Sequence, residues 1–316
     1  NMKIVVAGGT GFIGRHLCHL LMNEGHSIVI LSRHPDDTPA PANTRARVIQ
    51  WDGRNDGSWA TCCEGAEVIV NLSGAPIADR RWTPARKREL VDSRVLTTRA
   101  LLASIDKWKT KPHTFITASG VGFYGDCGQE EVNEGSPHGE GFLPELCQAW
   151  EGAAKQGEAL GLRVLSVRFG MVLGRTGGAL PKMAFPFRFF LGGPVLPGSQ
   201  FVSWIHVKDL SRLILWLITN QAISGPVNGV APDSVTMREF CVRLGEAMNR
   251  PSWFPVPGFL LQIALGELAS MLTTGQRVHP QRALDGGFTY LYPMLPAALE
   301  AIFKEPKTES RPSDHM

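Results

Sequence analysis

The stretch Lys3-Ile-Val-Val-Ala-Gly-Gly-Thr-Gly-Phe-Ile-Gly14 decides the fold of this chain. Its apolar run Ile4 to Ala7 predicts a buried parallel strand, because such strands read as continuous apolar segments. Glycines follow at GxxGxxG spacing, and Arg15 to Asn23 then shows apolar residues at helical spacing. A strand, a tight glycine turn and a helix in this order are typical of a dinucleotide site, where the backbone must approach a pyrophosphate. The glycines alone would indicate only an ordinary turn.

The end of the next predicted strand, Ser27 to Leu31, bears on which dinucleotide binds. An acidic residue about twenty positions beyond the glycines would bond the ribose 2′-hydroxyl of NAD. The chain has Ser32-Arg33-His34 there, and a guanidinium suits a 2′-phosphate by its charge and forked donors. We therefore expect NADP(H). The alternative is that Arg33 is a solvated loop residue and that Asp36 or Asp37 holds the ribose.

Composition excludes other classes of function. The 316 residues carry a formal net charge of +3 and contain no Lys/Arg run of the kind found in nucleic-acid tails. Apolar stretches such as Leu213 to Ile218 are too short to span a bilayer, and the chain begins at a strand rather than at a signal peptide. We expect a cytoplasmic protein with no nucleic-acid or membrane partner. Its six cysteines lack CxxC spacing, which predicts reduced thiols and no metal site.

Predicted strands alternate with helices through the first half of the chain. The strands are Ile4 to Ala7, Ile28 to Leu31, Arg47 to Gln50, Val68 to Leu72, Thr114 to Ala118 and Arg163 to Val167. The helices are Thr83 to Trp108, Leu143 to Leu160, Lys208 to Ile218, Met237 to Met248 and Phe259 to Thr273. This alternation predicts an α/β protein with a Rossmann-type doubly wound parallel sheet. Ligands should then bind beyond the carboxyl ends of the strands.

Domain organisation follows from a change near Gly174, after which Gly/Pro pairs break the alternation. We expect an NADP-binding Rossmann domain over residues 2–173. Residues 174–303 should form a smaller C-terminal substrate lobe, with some chain crossing back to the sheet. The polar residues 304–316 are expected to be a disordered tail.

An ordered set of motifs resembles the extended short-chain dehydrogenase/reductase superfamily, of the sugar-nucleotide epimerase type. The motifs are Gly8-Gly-Thr-Gly-Phe-Ile-Gly14, Asn71-Leu-Ser-Gly74, Phe123-Tyr-Gly-Asp126, Arg168-Phe-Gly-Met-Val-Leu-Gly174, Ser203-Trp-Ile-His-Val-Lys-Asp209 and Asn228-Gly-Val-Ala-Pro232. More closely, Trp82, Gly192-Gly-Pro194 and Gly275-Gln-Arg-Val-His-Pro280 resemble the atypical branch of SDR39U1-like epimerase-family proteins. The resemblance covers nearly the whole chain.

This resemblance implies a site for NADP(H) along the strand ends. Leu72, Ser73 and Gly74 would lie along the adenosine, and Arg168, Gly170 and Met171 near the nicotinamide. The residues predicted to bind the cofactor are therefore Gly8, Thr10, Gly11, Phe12, Ile13, Gly14, Arg33, Leu72, Ser73, Gly74, Arg168, Gly170 and Met171.

The resemblance fails at the catalytic pair. Working members of the superfamily use a Tyr-x-x-x-Lys pair on one helix, and none of the three tyrosines here has a lysine four residues on. On the helix after the fifth strand, either Leu146 and Trp150 or Cys147 and Glu151 stand in that place. A buried Cys147 and a helix-surface Glu151 are the simpler interpretations.

Three other residues are candidates for catalysis. Ser119 matches the position of the hydroxyl group that orients the substrate oxygen in the superfamily. Tyr124 would donate a proton in a rearranged site, and His206 would exchange a proton near pH 7. Each also has a structural interpretation, as a turn residue, a pocket wall and a hydrogen-bonded core histidine. Lys182, Arg188 and Gln200 are a possible grip for an anionic ligand, or else solvated groups.

Two functions remain open. One is a reductase or epimerase acting on an unidentified small polar substrate between the lobes; a homo-oligomer is an open expectation for this chain. The other is a non-catalytic NADP(H)-dependent binding or sensor protein. The missing Tyr-Lys pair favours the sensor, whereas the retained Ser119 and the substrate lobe favour the enzyme. Fold analogy cannot decide between them.

Overall fold

Seven parallel strands form the central sheet of the computed structural model, which describes residues 1–35 and 46–304. The strands are β1 (Lys3–Ala7), β2 (Ser27–Ser32), β3 (Ala46–Gln50), β4 (Val68–Asn71), β5 (Thr114–Gly120), β7 (Arg163–Phe169) and β11 (Gly225–Gly229). Their order across the sheet is β11-β7-β5-β4-β1-β2-β3. The direction of winding reverses between β1 and β4, so this is where a ligand crevice opens in a sheet of this type. The predicted fold class is confirmed.

Eleven α-helices and six short strands complete the described part of the chain. The helices are α1 (Phe12–Asn23), α2 (Ser58–Cys63), α3 (Pro84–Asp106), α4 (Phe142–Lys155), α5 (Leu180–Arg188), α6 (Val207–Thr219), α7 (Met237–Met248), α8 (Gly258–Leu265), α9 (Ser270–Thr273), α10 (Gln281–Asp285) and α11 (Leu295–Lys304). The short strands are β6 (Glu131–Val132), β8 (Met171–Leu173), β9 (Phe201–Val202), β10 (Trp204–His206), β12 (Val235–Thr236) and β13 (Arg277–Val278). None of the helices described is both long and apolar enough to cross a membrane.

Helices cover both faces of the sheet, and β1 shows how the sequence permits this. Ile4 and Val6 join the core under α1 and α6, whereas Val5 and Ala7 join the core under α2 and α3. All four side chains are fully buried. A strand buried on both faces needs a continuous apolar run, since alternate side chains point to opposite faces.

The chain after Gly174 builds a second core and also returns to the sheet. Leu173, Phe187, Trp204 and Phe240 belong to a buried cluster shared by α5, α7 and α11. By contrast, α6 packs in the same core as α1, and β11 pairs with β7 as the edge strand of the sheet. The domain division at residues 173 and 174 stays a prediction.

Two predicted helices are shorter than expected. The continuous helix predicted over Phe259 to Thr273 is wrong, because Gly266 adopts a left-handed φ of +62° and a 3-10 turn, Gly266–Ala269, separates α8 from α9. The predicted helix Leu143 to Leu160 continues as α4 only to Lys155 and then tightens into a 3-10 turn.

Close packing at Gly14 gives a test of the first turn. A Cβ at Gly14 would lie 2.4 Å from the Gly8 carbonyl oxygen, whereas a Cβ at Gly11 would meet that oxygen only at 3.4 Å. We expect Gly14→Ala to lower the free energy of unfolding by about 1–3 kcal/mol through overpacking. The matched variant Gly11→Ala should lower it by less than about 1 kcal/mol. Urea denaturation measures both, and equal losses would contradict this packing.

Candidate cofactor cleft and active site

The glycine turn between β1 and α1 forms the floor of the crevice. Gly8 has a φ of +78°, and a Cβ there would lie 3.0 Å from the backbone of Leu72. Gly14 packs against the turn itself, so both glycines are needed for close approach of backbone. Gly11 differs, since it is exposed and provides no side-chain cap for α1. The first N–H groups of α1 have no acceptor inside the helix, and this open N-terminus suits a pyrophosphate.

The other residues of the turn have mainly structural side chains. Thr10 Oγ1 lies 3.4 Å from Ser32 Oγ, which joins the turn to the end of β2. The Phe12 ring packs against the loop that follows β8, where a Cβ at Gly177 would lie 2.4 Å from the ring. Ile13 packs against the core under α1. Phe12 and Ile13 therefore present backbone N–H groups, not side chains, to the crevice.

Arg33 lies at the rim of this crevice. It is exposed and follows directly on Ser32, the last residue of β2 and a neighbour of Thr10. A cation at this edge is suited to a phosphate on the adenosine ribose. The alternative ribose ligands, Asp36 and Asp37, lie outside the described residues.

The turn after β4 forms the opposite wall. Asn71 holds it, because its Oδ1 accepts the Ser73 N–H at 3.2 Å and its Nδ2 donates to Thr98 Oγ1 at 3.0 Å. Gly74 is exposed, and a Cβ there would lie 2.9 Å from the guanidinium carbon of Arg94. Leu72 and Ser73 are half-buried beside Gly8. This arrangement leaves a narrow, flat wall of backbone next to the glycine turn.

Helix α4 presents Cys147 and Glu151 to the carboxyl end of β5. Ser119 Oγ donates to Glu151 Oε1 at 2.7 Å, and Cys147 Sγ lies 3.6 Å from the Gly120 carbonyl oxygen. Of the two pairs predicted to replace the Tyr-Lys pair, Cys147 and Glu151 therefore face the carboxyl end of β5. Burial raises the pKa of the Cys147 thiol to about 11, as expected for a buried thiol and not for a nucleophile.

Glu151 is held in a bidentate ion pair with Arg168 at the end of β7. Arg168 Nε donates to Oε1 at 2.8 Å and Nη2 donates to Oε2 at 2.9 Å. The side chains are 4% exposed for Arg168 and 16% for Glu151, so the interpretation of Glu151 as a surface carboxylate is wrong. Burial alone would lower the pKa of Arg168, but the Glu151 carboxylate outweighs it and the net shift is upward. The guanidinium also stacks on Phe123, 3.4 Å from the ring centroid.

Tyr124 completes the same network from the other side of Arg168. Its hydroxyl donates to Asn228 Oδ1 at 2.8 Å and accepts from Arg168 Nη1 at 2.9 Å. Asn228 is held in turn by Glu134 Oε1 and by the carbonyl oxygen of His279. The Tyr124 side chain is buried, and burial raises its pKa. A phenol with both hydrogen bonds made inside the protein suits a pocket wall better than a proton donor.

His206 caps helix α6. Its Nδ1 accepts the Lys208 N–H at 3.1 Å, and its ring packs on Tyr292 with 4.3 Å between ring centroids. Burial, followed by the charges of Lys208 and His16, lowers the pKa of His206 to about 4. The environment therefore does not provide the pKa near 7 that proton exchange requires. Its role in catalysis stays an untested prediction.

The structure also places the remaining residues that were predicted to contact the cofactor or an anionic ligand. The space beside Gly170 is filled, because a Cβ there would lie 2.6 Å from the Ser203 carbonyl oxygen, and Met171 N–H donates to that same oxygen. Gln200 is buried and bonds Val195, Gly198 and Leu272 backbone groups, so it does not grip a ligand. Lys182 and Arg188 are exposed on α5.

Sequence reasoning missed Asn228, Glu134 and His279 as members of this network. Asn228 was visible only as the first residue of a family motif, and no local pattern links it to Tyr124, which is 104 positions away. Within residues 1–35 and 46–304, no three His, Cys, Asp or Glu side chains are grouped so that they could hold a metal ion.

Residues 4–228 match the sequence model of the NAD dependent epimerase/dehydratase family, and residues 256–302 match a domain of unknown function, DUF1731. The chain therefore belongs to the NAD-dependent epimerase/dehydratase family. Within that class it belongs with the SDR39U1 epimerase family proteins, as the sequence motifs predicted. It is 38% identical to human SDR39U1 over 306 residues, which are 95% of this chain and 99% of the human protein. It is also 38% identical to the SDR39U1 homolog of Arabidopsis thaliana, named as chloroplastic, over 96% of this chain and 87% of the relative.

Solved structures agree with this placement. The crystal structure of human SDR39U1 isoform 2 with NADPH is 37% identical in sequence and has a TM-score of 0.87, with 96% of this chain and 100% of the human chain covered. A nucleoside-diphosphate sugar epimerase from Corynebacterium glutamicum is 30% identical, with a TM-score of 0.76 over 96% of this chain and 58% of the other. UDP-glucuronic acid 4-epimerase from Bacillus cereus shares the fold, at 17% identity, 96% and 98% coverage and a TM-score of 0.77.

The lowered pKa of His206 predicts a pH dependence of stability. The unfolded histidine titrates near 6.5 and the folded one near 4, so the unfolded state binds the proton first as the pH falls. The contribution of His206 to stability is therefore fully present above pH 6.5. As the pH falls toward 4, the free energy of unfolding should decrease by up to about 3 kcal/mol. His206→Asn keeps an N-cap acceptor and removes this titration. Urea denaturation at pH 7, 6, 5 and 4.5 should give a flatter profile for the variant, and parallel profiles would contradict the assignment.

Proposed function

We propose that the chain binds NADP(H) across the glycine turn and uses it to reduce or epimerise a small polar substrate at the ends of β5 and β7. The observation that carries this proposal is the open N-terminus of α1, where Gly11 leaves one side of an otherwise close-packed turn accessible. The human relative with a TM-score of 0.87 was crystallised with NADPH, which supports the choice of cofactor. Arg33 favours the 2′-phosphorylated form.

Each part of the cofactor has residues suited to it. The turn from Gly8 to Gly14 would hold the pyrophosphate through backbone N–H groups. Arg33 would pair with the 2′-phosphate, and the wall Leu72 to Gly74 would lie along the adenosine. The nicotinamide would then reach the edge of the sheet near Arg168 and Met171. NADP(H) bound in this way would supply or accept a hydride there.

Ser119 is the group best placed to contact the substrate among the three catalytic candidates. It lies at the carboxyl end of a parallel strand, and its hydroxyl hydrogen is directed to Glu151. Its oxygen would then accept from a hydroxyl of the substrate, whose carbonyl carbon would take the hydride while the carbonyl oxygen takes a proton from water. The Arg168 guanidinium donates to both carboxylate oxygens of Glu151, and this fixes the position of the acceptor that Ser119 faces.

A second function rests on the observation that Tyr124 and His206 already have internal partners. Neither is free to transfer protons in the arrangement seen, which favours a non-catalytic NADP(H)-dependent sensor. Cofactor binding would then control association with another molecule. A cytoplasmic location and a homo-oligomeric state stay predictions for either function.

Cofactor preference is tested by Arg33→Ala. A charged, forked contact to a phosphate contributes roughly 1.5–3 kcal/mol, so the variant should bind NADPH about tenfold to a hundredfold more weakly. Its affinity for NADH should hardly change, because NADH lacks the 2′-phosphate. Calorimetric titration of the wild type and the variant with both cofactors measures the difference.

A second variant tests the glycine turn, and the wild-type affinities test the role of Arg33. Gly11→Val, which fills the open side of the turn, should abolish the thermal stabilisation given by either cofactor. Equal wild-type affinities for NADPH and NADH would contradict the assigned role of Arg33.

Single-turnover oxidation of bound NADPH distinguishes the enzyme from the sensor. Against a panel of carbonyl compounds and nucleotide sugars, Ser119→Ala should lower the rate by about a hundredfold or more, with NADPH affinity unchanged. Tyr124→Phe should retain most of the rate, since that hydroxyl faces Asn228 and Arg168. Absence of turnover with every substrate, together with NADPH-dependent binding of a protein partner, would favour the sensor.

A further inference from the structure

One side of the C-terminal lobe carries an unusually apolar surface. The described residues expose fourteen large apolar side chains, and nine of them lie on α5, on α8 and on the two segments that connect to them. We call these nine the aromatic platform: Phe185, Phe189, Phe190, Leu191, Trp253, Phe254, Phe259, Leu260 and Ile263. Scattered exposed apolar residues are ordinary, but a concentration of this kind marks a binding surface.

Backbone contacts hold the platform together. Trp253 Nε1 donates to the Phe190 carbonyl oxygen at 2.8 Å, and the N–H groups of Trp253 and Phe254 both donate to Gly192 at 3.0 Å. Further along, Leu196 N–H donates to Val256 at 2.9 Å. The two segments therefore run side by side, and their exposed rings share one surface.

Helix α8 follows directly on the second of these segments and is also apolar and exposed. None of its residues is buried, although its sequence Gly-Phe-Leu-Leu-Gln-Ile-Ala-Leu has a single polar side chain. Phe259 is 62% exposed and Ile263 is 71% exposed. An apolar helix in a folded protein normally buries its apolar side, so α8 lacks the partner that its composition calls for.

The platform carries an excess of positive charge, because the acids at its two ends, Glu246 and Glu267, are each paired with a cation, Arg243 and Lys87. Residues 179–198 and 247–266 contain Lys182, Arg188 and Arg250 and no Asp or Glu. Lys182, Phe185 and Phe189 share one side of α5 by their helical spacing, and the Arg250 guanidinium lies over the Phe190 ring at 4.6 Å. Arg81 lies beside Gly266, immediately after α8.

This charge pattern argues against two possible occupants. A second copy would bring two surfaces with an excess of positive charge together, which charge repulsion disfavours. The C-terminal residues 305–316, Glu-Pro-Lys-Thr-Glu-Ser-Arg-Pro-Ser-Asp-His-Met, contain no aromatic or branched aliphatic side chain to cover the rings. A surface with anionic groups outside and an apolar interior can pair with the cations and bury the exposed rings.

We propose that the aromatic platform docks on the interface of an anionic phospholipid bilayer. Trp and Phe rings favour the headgroup level, and basic side chains at the rim pair with anionic lipids. Beside Phe190, Asn249, Arg250 and Ser252 line a surface hollow and could donate to a lipid phosphate, while Glu246 in the same hollow is paired with Arg243. Arg250 Nε and Ser252 Oγ there are buried without a hydrogen-bond partner among the described residues. The expectation of no membrane partner rested on spanning length, which a surface contact does not need.

Trp253 provides an intrinsic probe for this docking. It is 63% exposed, whereas the other seven tryptophans are buried or half-buried. Vesicles of phosphatidylcholine with about one third phosphatidylserine should bind the protein in a flotation assay and shift its fluorescence to shorter wavelength. Brominated lipid in the same vesicles should quench that emission, and Trp253→Phe should remove the signal while flotation persists.

Matched variants locate the contact. The double variant Phe259→Ser/Ile263→Ser and the variant Arg188→Glu should each weaken vesicle binding by about tenfold or more, because apolar burial and charge both contribute. Leu284→Ser is the control and should leave vesicle binding unchanged. Leu284 is an exposed apolar residue outside the aromatic platform, on α10, which packs against the edge strand β11. Raising the salt concentration should weaken binding of the wild type.

Three results would overturn the proposal. Absence of wild-type flotation with anionic vesicles at low salt would do so without reference to any variant. Equal binding to pure phosphatidylcholine vesicles would remove the role of the cations. A fluorescence shift that follows protein concentration without vesicles, with a dimer in sedimentation, would identify a second copy as the occupant.

Discussion

The ion pair between Arg168 and Glu151 ties together the elements that form the cleft. Arg168 is the penultimate residue of β7, Glu151 comes from α4, and Ser119, which donates to Glu151, is the penultimate residue of β5. Through Tyr124 the same guanidinium reaches Asn228 on β11, the edge strand. Removing one member of a buried pair costs about 3–5 kcal/mol because it leaves an uncompensated charge. The geometry of the strand ends therefore depends on both charges being present.

The ion pair also explains how the chain differs from relatives that keep a Tyr-Lys pair. A lysine on α4 would bring a mobile cation to the strand ends, whereas here Glu151 brings an anion whose charge Arg168 neutralises in place. Ser119 is thereby oriented, but no phenol or ammonium is left free nearby. Under the proposed enzyme function the substrate oxygen would contact Ser119, at the opposite end of the cleft from the glycine turn, so cofactor binding and catalysis are tested by separate variants.

Glycines at the other end of the cleft act by a different constraint. Gly8 and Gly14 are glycines because neighbouring backbone occupies the space a side chain would need, while Gly11 faces outward. The turn is therefore close-packed at Gly8 and Gly14 and accessible at Gly11, and an anion site at a helix N-terminus requires such an accessible position. The aromatic platform lies on another part of the molecule and draws on none of these residues, so the two sites can be altered independently.

The sequence by itself determined the sheet, the glycine turn and the position of Ser119, since these depend on local runs of apolar residues and on spacing within about thirty positions. Most strand and helix bounds follow from the same local patterns, and Gly266, a residue type that commonly ends helices, is the local signal that the predicted helix over Phe259 to Thr273 passed over. Only the tertiary structure decided which side of α4 meets β5. It also decided that Glu151 is buried against Arg168 and that Tyr124 is held by Asn228. These contacts join residues far apart in the chain, and their strength comes from exclusion of water, which no sequence pattern records.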